Sequence, residues 1–160
     1  LAEKYIPNSK GHKREWAYDK NTEDSFMSDI EDSIVEKIMY LNVNREWKIL
    51  LLMGIGVFVQ HPNKEYIDIM KELAEQQKLY LIIASSDYIY GTNYQFCHGY
   101  LSKDLQNMTQ EKMIQAFGRV GRSSSQNNYT LRVRDDELII KLYTKDDNKP
   151  EVRNMNRLFA

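Results

Sequence analysis

From Leu79 to Ala84 the chain runs through six residues whose side chains are apolar apart from the hydroxyl of Tyr80. A membrane-spanning helix needs about 20 such residues, so this run is far too short to cross a bilayer. It also lacks the alternation of a strand with one wet face. Such a run between helical patterns predicts a central parallel strand covered on both faces, and hence an α/β architecture.

The surrounding pattern agrees. Ile30, Ile34, Ile38 and Leu41 form one apolar stripe, predicting a helix from Ser28 to about Asn42, with Asp29, Glu31 and Asp32 favouring its amino end. Trp47, Leu50 and Leu51 continue into a short helix ending near Gly54, and Ile55–Val59 is a brief buried strand. Pro62 and Asn63 mark a turn before a helix from Lys64 to Gln77, with Ile67, Met70, Leu73 and Ala74 on one face. A weaker strand is expected at His98–Leu101. Thr109 can cap a helix that reaches Phe117 and turns Met113, Ile114 and Phe117 inward. Tyr129, Leu131 and Val133 alternate with Thr130, Arg132 and Arg134, and Leu138–Tyr143 is apolar. The two stretches around Asp135-Asp136 predict a C-terminal β-hairpin. A last helix is expected over Glu151–Phe159. The first 28 residues show no period and read as a flexible arm, leaving 29–160 as the folded domain.

Composition narrows the classes. The 160 residues suit one domain, with a formal net charge of -1 that argues against a generally basic nucleic-acid coat but leaves room for a local basic groove. The lone Cys97 allows no internal disulfide and fits a reducing compartment such as cytoplasm. His12, His61 and His98 stand far apart without partners at ligand spacing, so no metal site is expected. A chain opening on Leu1 rather than methionine is expected to be part of something longer.

The chemistry concentrates in Gln115-Ala116-Phe117-Gly118-Arg119-Val120-Gly121-Arg122. Two arginines at a helix end, spaced by glycines, can meet a phosphoryl group whose charge is spread over several oxygens. A solvated basic turn would use the same residues. Polar residues Ser85 and Ser86, then Gly91-Thr92-Asn93, follow the apolar strand, where open α/β sheets bind ligands. Tyr88, Tyr90 and Tyr94 flank that stretch and can pack or stack on bases. Arg132 and Arg134 share a strand face that can be solvated or meet nucleic-acid phosphates.

The pattern QxxGRxGR resembles the sixth motif of superfamily 2 helicases, the DEAD/DExH-box group. Ala84 to Asn93 resembles their fifth motif. Gly54-Ile55-Gly56-Val57 is similar to the fourth-motif region of the Ski-complex type. The hairpin and tail look most like helicases of large DNA viruses. Phe58-Val59 stand where the Ski type carries two histidines, Ser85 stands where threonine is commoner, and no proline follows Asn93.

The resemblance implies a three-layer RecA-like lobe with a mainly parallel sheet, the C-terminal lobe of an ATP-dependent nucleic-acid helicase. It implies catalytic roles for Arg119 and Arg122, with Arg122 as the arginine finger. Gln115, Gly91 and Asn93 would lie at the ATP site. Ser85 would contact the bound strand's backbone, with Gly56 allowing its close approach. RNA is favoured over DNA, and a docking module without motor function is the other alternative. No phosphate loop of the GxxxxGK[ST] kind occurs here, and Asp136-Glu137 sits in an expected turn. ATP and Mg²⁺ would therefore need an N-terminal RecA-like lobe of the same full-length protein. Single-stranded or duplex nucleic acid is the other expected partner, with no membrane. The chain alone is expected to be inactive, working in host cytoplasm or a virion if viral.

Overall fold

A computed structural model of the chain describes residues 1–85, 94–102, 108–121, 128–144 and 148–159. The fold is mixed α/β, built of two compact units that divide between Tyr94 and Gln95. The boundary expected near residue 28 falls inside the first unit.

In the first unit, the opening stretch carries a 3-10 turn, Glu3–Tyr5, and a helix α1, Lys10–Glu15, capped by the Ser9 hydroxyl. Its lack of apolar period hid this structure, because polar bonds hold it. His12 is fully buried there. Helices α2, Asp32–Tyr40, and α3, Arg45–Leu52, follow, and then strand β1, Ile55–Phe58. Helix α4, Lys64–Glu75, connects β1 to strand β2, Leu81–Ala84, and the strands pair in parallel with Ile55 beside Leu81 and Phe58 beside Ala84. Asn63 caps the amino end of α4. Its side-chain oxygen accepts from the Tyr66 N–H at 2.9 Å, satisfying one of the donors that a helix start leaves open.

Three helices pack on one face of this two-stranded sheet. Ile38, Leu51, Leu52, Phe58 and Leu73 have at most 1% of their surface exposed, and Ile82 and Ala84 pack against them. The other face is not covered as expected. Leu81 and Ile83 are 49% and 51% exposed, because all three helices lie on the Gly56, Phe58, Ile82 and Ala84 side. The α4 face includes Tyr66 and Ile69, which complete the i, i+3, i+7 row ending at Leu73.

The second unit repeats the plan. Strand β3, His98–Leu101, leads to helix α5, Gln110–Phe117, and then to strand β4, Thr130–Val133, parallel to β3. The expected hairpin is not there. Leu138–Tyr143 belongs to helix α6, Asp136–Tyr143, not to a strand. Asp135 caps it by accepting from the Glu137 N–H at 3.0 Å, and Asp136 and Glu137 suit its amino end. Leu138 and Leu142, four apart, face Met108 and Met113 as a helix allows. Helix α7, Pro150–Phe159, ends the described chain. Lys149 precedes it and is bonded to Glu111 and Gln110 on α5. That contact holds the Glu111 carboxyl below its usual range.

Tyr66 supplies a test of the core. Its hydroxyl oxygen is buried without a hydrogen-bond partner among the described residues. Burial pushes its phenol from 10.0 up to about 12. The folded state thus keeps a proton that the unfolded chain releases earlier. This part of the stability is intact below pH 10.0 and is lost as the pH climbs through about 12. Tyr66→Phe removes an unsatisfied polar atom and should raise stability by about 1 kcal/mol in denaturant titrations. It should also flatten the alkaline loss.

Candidate functional site

In the first unit, parallel pairing places the carboxyl ends of β1 and β2 on one edge. Ser85 emerges there, solvent-exposed, immediately after Ala84, whose partner is Phe58. The segment after β1 forms a polar recess of about 360 Å³ lined by Asn42, Val43, Asn44, His61, Pro62 and Asn63. The Asn63 N–H donates to His61 Nδ1 at 3.0 Å, and the Asn63 amide donates to the Asn42 carbonyl at 3.3 Å. Trp47 and Tyr66 pack their rings against the His61 ring, at centroid distances of 5.3 and 4.8 Å. The sequence marked only Pro62-Asn63 as a turn. Asn42 and Asn44 join it through tertiary packing of the α2–α3 connection, which no spacing reveals.

Gly56 is in β1 and buried. A Cβ there would stand 2.6 Å from Leu79 Cδ1 and 3.3–3.4 Å from Phe58 and Met70. The neighbour that comes close is thus the unit's own core.

In the second unit, Gln115 lies exposed on α5 and Arg119 follows two residues after its end, half-buried. Four residues apart, they lie about one helical turn from each other. Arg119 carries no ion pair among the described residues. The glycine-arginine turn is tied to the chain entering β3. The Phe96 N–H donates to the Arg119 carbonyl, and the Gly121 N–H donates to the Phe96 carbonyl, both at 2.9 Å. Gly121 has φ +82°, the left-handed region where a Cβ is strained, and the Tyr129 ring lies 3.4 Å from where that Cβ would be. A glycine there ends the helical turn and redirects the chain. Arg122, Gly91 and Asn93 lie outside the described residues, as do Tyr88 and Tyr90.

The register of β3 and β4 adds a surface that sequence spacing alone did not assemble. His98 pairs with Thr130, and Tyr100 with Arg132, so all four share one exposed sheet face. His98 Nδ1 and the Thr130 hydroxyl are 2.8 Å apart, and Tyr100 is 59% exposed. Arg134 lies exposed just past the end of β4. The four paired residues offer a cation, a phenol, an imidazole and a hydroxyl.

Among the described residues no three His, Cys, Asp or Glu side chains converge as a metal site requires. No described helix is long and apolar enough to cross a membrane. No protein-family model matches the chain, and no curated protein matches it at a significant level.

The two glycines separate packing from motif chemistry. Gly56→Ala crowds Leu79 and should lower the stability of the first unit by about 1–3 kcal/mol. Gly121→Ala forces a side chain into the left-handed region and should cost the second unit about 1–2 kcal/mol. Urea unfolding followed separately in each unit by amide NMR signals checks both.

Proposed function

We propose that this chain is the C-terminal RecA-like motor lobe of an ATP-dependent nucleic-acid helicase, acting on RNA. What carries the reading is the placement of the Gln115–Gly121 stretch. It ends the helix that joins two parallel strands, and its second glycine takes a conformation that few other residues tolerate. Along the chain, Ile55–Val57 lie on β1, Ala84 and Ser85 lie at the carboxyl end of β2, and Gln115–Gly121 lie at the end of α5. A three-layer RecA-like arrangement with a mainly parallel sheet belongs to the same reading.

The donors fit a nucleotide. Arg119 is a half-buried cation with no ion pair among the described residues, and Gln115 supplies an exposed amide one turn away. With Arg122 they would hold the γ-phosphate side of ATP, which supplies the phosphoryl group whose hydrolysis drives lobe movement. Gly91 and Asn93 would complete that side. Among the described residues no three His, Cys, Asp or Glu side chains converge on a metal-sized site. In this reading the metal's ligands and the phosphate loop come from an N-terminal lobe. Ser85, exposed at the carboxyl edge of the first sheet, would donate its hydroxyl to a strand phosphate. Such a contact reads backbone without sequence, as a translocating motor needs.

The isolated chain should show negligible ATP hydrolysis. Joined to a phosphate-loop lobe encoded upstream, it should hydrolyse ATP and unwind a duplex. Arg122→Ala should then lower turnover by about 10³-fold or more, as loss of an arginine finger does. Appreciable turnover by the isolated chain that disappears with Arg122→Ala would contradict the two-lobe reading. The absence of any phosphate loop upstream would contradict the motor itself.

A further inference from the structure

His12 is completely buried, and both of its ring nitrogens point at carbonyl oxygens. Nδ1 lies 2.8 Å from the Lys4 carbonyl and Nε2 lies 2.9 Å from the Phe26 carbonyl. A carbonyl oxygen can only accept. Neutral imidazole carries one N–H and one lone pair, so in either tautomer one of these two contacts would set a lone pair against an oxygen. Only the imidazolium donates at both ends. We infer that His12 is a proton-dependent clasp, closing the first 26 residues onto themselves as a double donor and loosening them when the ring loses a proton.

The neighbouring bonds show what the clasp holds. The Lys4 carbonyl also accepts from Trp16 Nε1 at 3.0 Å, so the 3-10 turn and α1 are tied through one oxygen. The Phe26 N–H donates to the Trp16 carbonyl at 3.1 Å, which places the second acceptor beside α1. From Phe26 the tie reaches the body of the unit. The Phe26 ring packs on Tyr80 at 5.0 Å, and the Tyr80 hydroxyl donates to the Met27 carbonyl at 2.7 Å. The Ser28 hydroxyl donates to the Leu52 carbonyl at the end of α3. Opening the ring's bond to Phe26 therefore loosens the link between α1 and the segment anchored beside β2 and on α3, leaving the Phe26–Trp16 backbone bond and the Ser25 hydroxyl's bond to the Lys13 carbonyl to hold it.

The charged groups around the ring do not supply an alternative partner. On the 3-10 turn, the Glu3 carboxylate accepts from the Gly11 N–H and the Lys4 ammonium pairs with Glu15 of α1. The Tyr5 ring lies under the Lys4 ammonium. On the second 3-10 turn, Thr22–Asp24, the Asp24 carboxylate accepts from the Asn21 amide. Glu23 uses its backbone N–H on the Asn21 side chain. The ring's two hydrogen bonds go to carbonyls alone, whose dipoles favour a buried cation as charge-assisted acceptors. Proton uptake accompanies closure, so closure strengthens in acid and weakens in base.

The test uses this chain from about pH 5 to about pH 8, the span over which imidazole ordinarily changes charge. Two-dimensional spectra of the ring nitrogens, assigned with His12→Gln, report whether both carry protons. Amide exchange of His12, Trp16 and Phe26, corrected for intrinsic rates, reports closure. The expected result is two protonated nitrogens in acid, and a fall in protection of about tenfold or more as the ring becomes neutral. Trp16→Phe removes the second donor to Lys4 and should keep the pH response, whereas His12→Gln should abolish it. If His12→Gln fails to fold, the ring spectra and exchange of the unaltered chain decide alone. A ring with a single protonated nitrogen throughout, and protection unchanged with pH, would overturn the clasp.

Discussion

The burial of α4 across the parallel pair of β1 and β2 is the contact on which the first unit depends. Met70 and Leu73 from the helix and Phe58 from the strand are almost wholly removed from water. Parallel strands cannot be joined by a tight turn, so the crossing helix is both the connection and the cover. Everything on the carboxyl edge inherits its position from that packing. Ser85 stands where β2 stops, and the recess around His61 stands where β1 stops, because the register fixes the two ends together. The second unit uses the same device with α5 between β3 and β4. Among its described residues, Met108, Met113 and Leu138 form the buried centre.

Much of this was legible in the residues. The apolar run before Ser85, the four-and-three spacing of α2 and the cap at Asn63 each express a local rule, and the elements follow them within a few residues. The failures have physical causes. Leu138–Tyr143 is apolar enough for a strand, but Asp135 and two acids at the amino end decide for a helix. Its inward residues are four apart rather than two. The run at β2 promised cover on both faces, yet α2, α3 and α4 pack on one side and leave Leu81 and Ile83 about half exposed. The opening 28 residues gave no period because they are held by side-chain bonds to carbonyls, from His12, Trp16 and Ser25, rather than by an apolar stripe.

The site was legible as a set of segments and less so as a geometry. Gln115 lies on α5 and Arg119 in the turn just past its end, the helix end at which the sequence placed the glycine-arginine cluster. Gly121 is needed for its backbone angle. Gly56 makes room for Leu79, a packing demand that a motif cannot distinguish from a ligand's approach. The face of His98, Tyr100, Thr130 and Arg132 depends on which strands pair, information that lies outside any one segment. On that face and at Ser85 a phosphate backbone would meet exposed donors.

The central claim is that the stretch from Gln115 to Arg122 faces the γ-phosphate of ATP in a two-lobed motor. Photo-crosslinking of the full-length protein with an ATP analogue bearing its reactive group on the γ-phosphate, followed by peptide mapping, tests it most directly. The account predicts a label between Gln115 and Arg122 that unmodified ATP competes away. Labelling confined to other parts of the protein, with this stretch untouched, would contradict it.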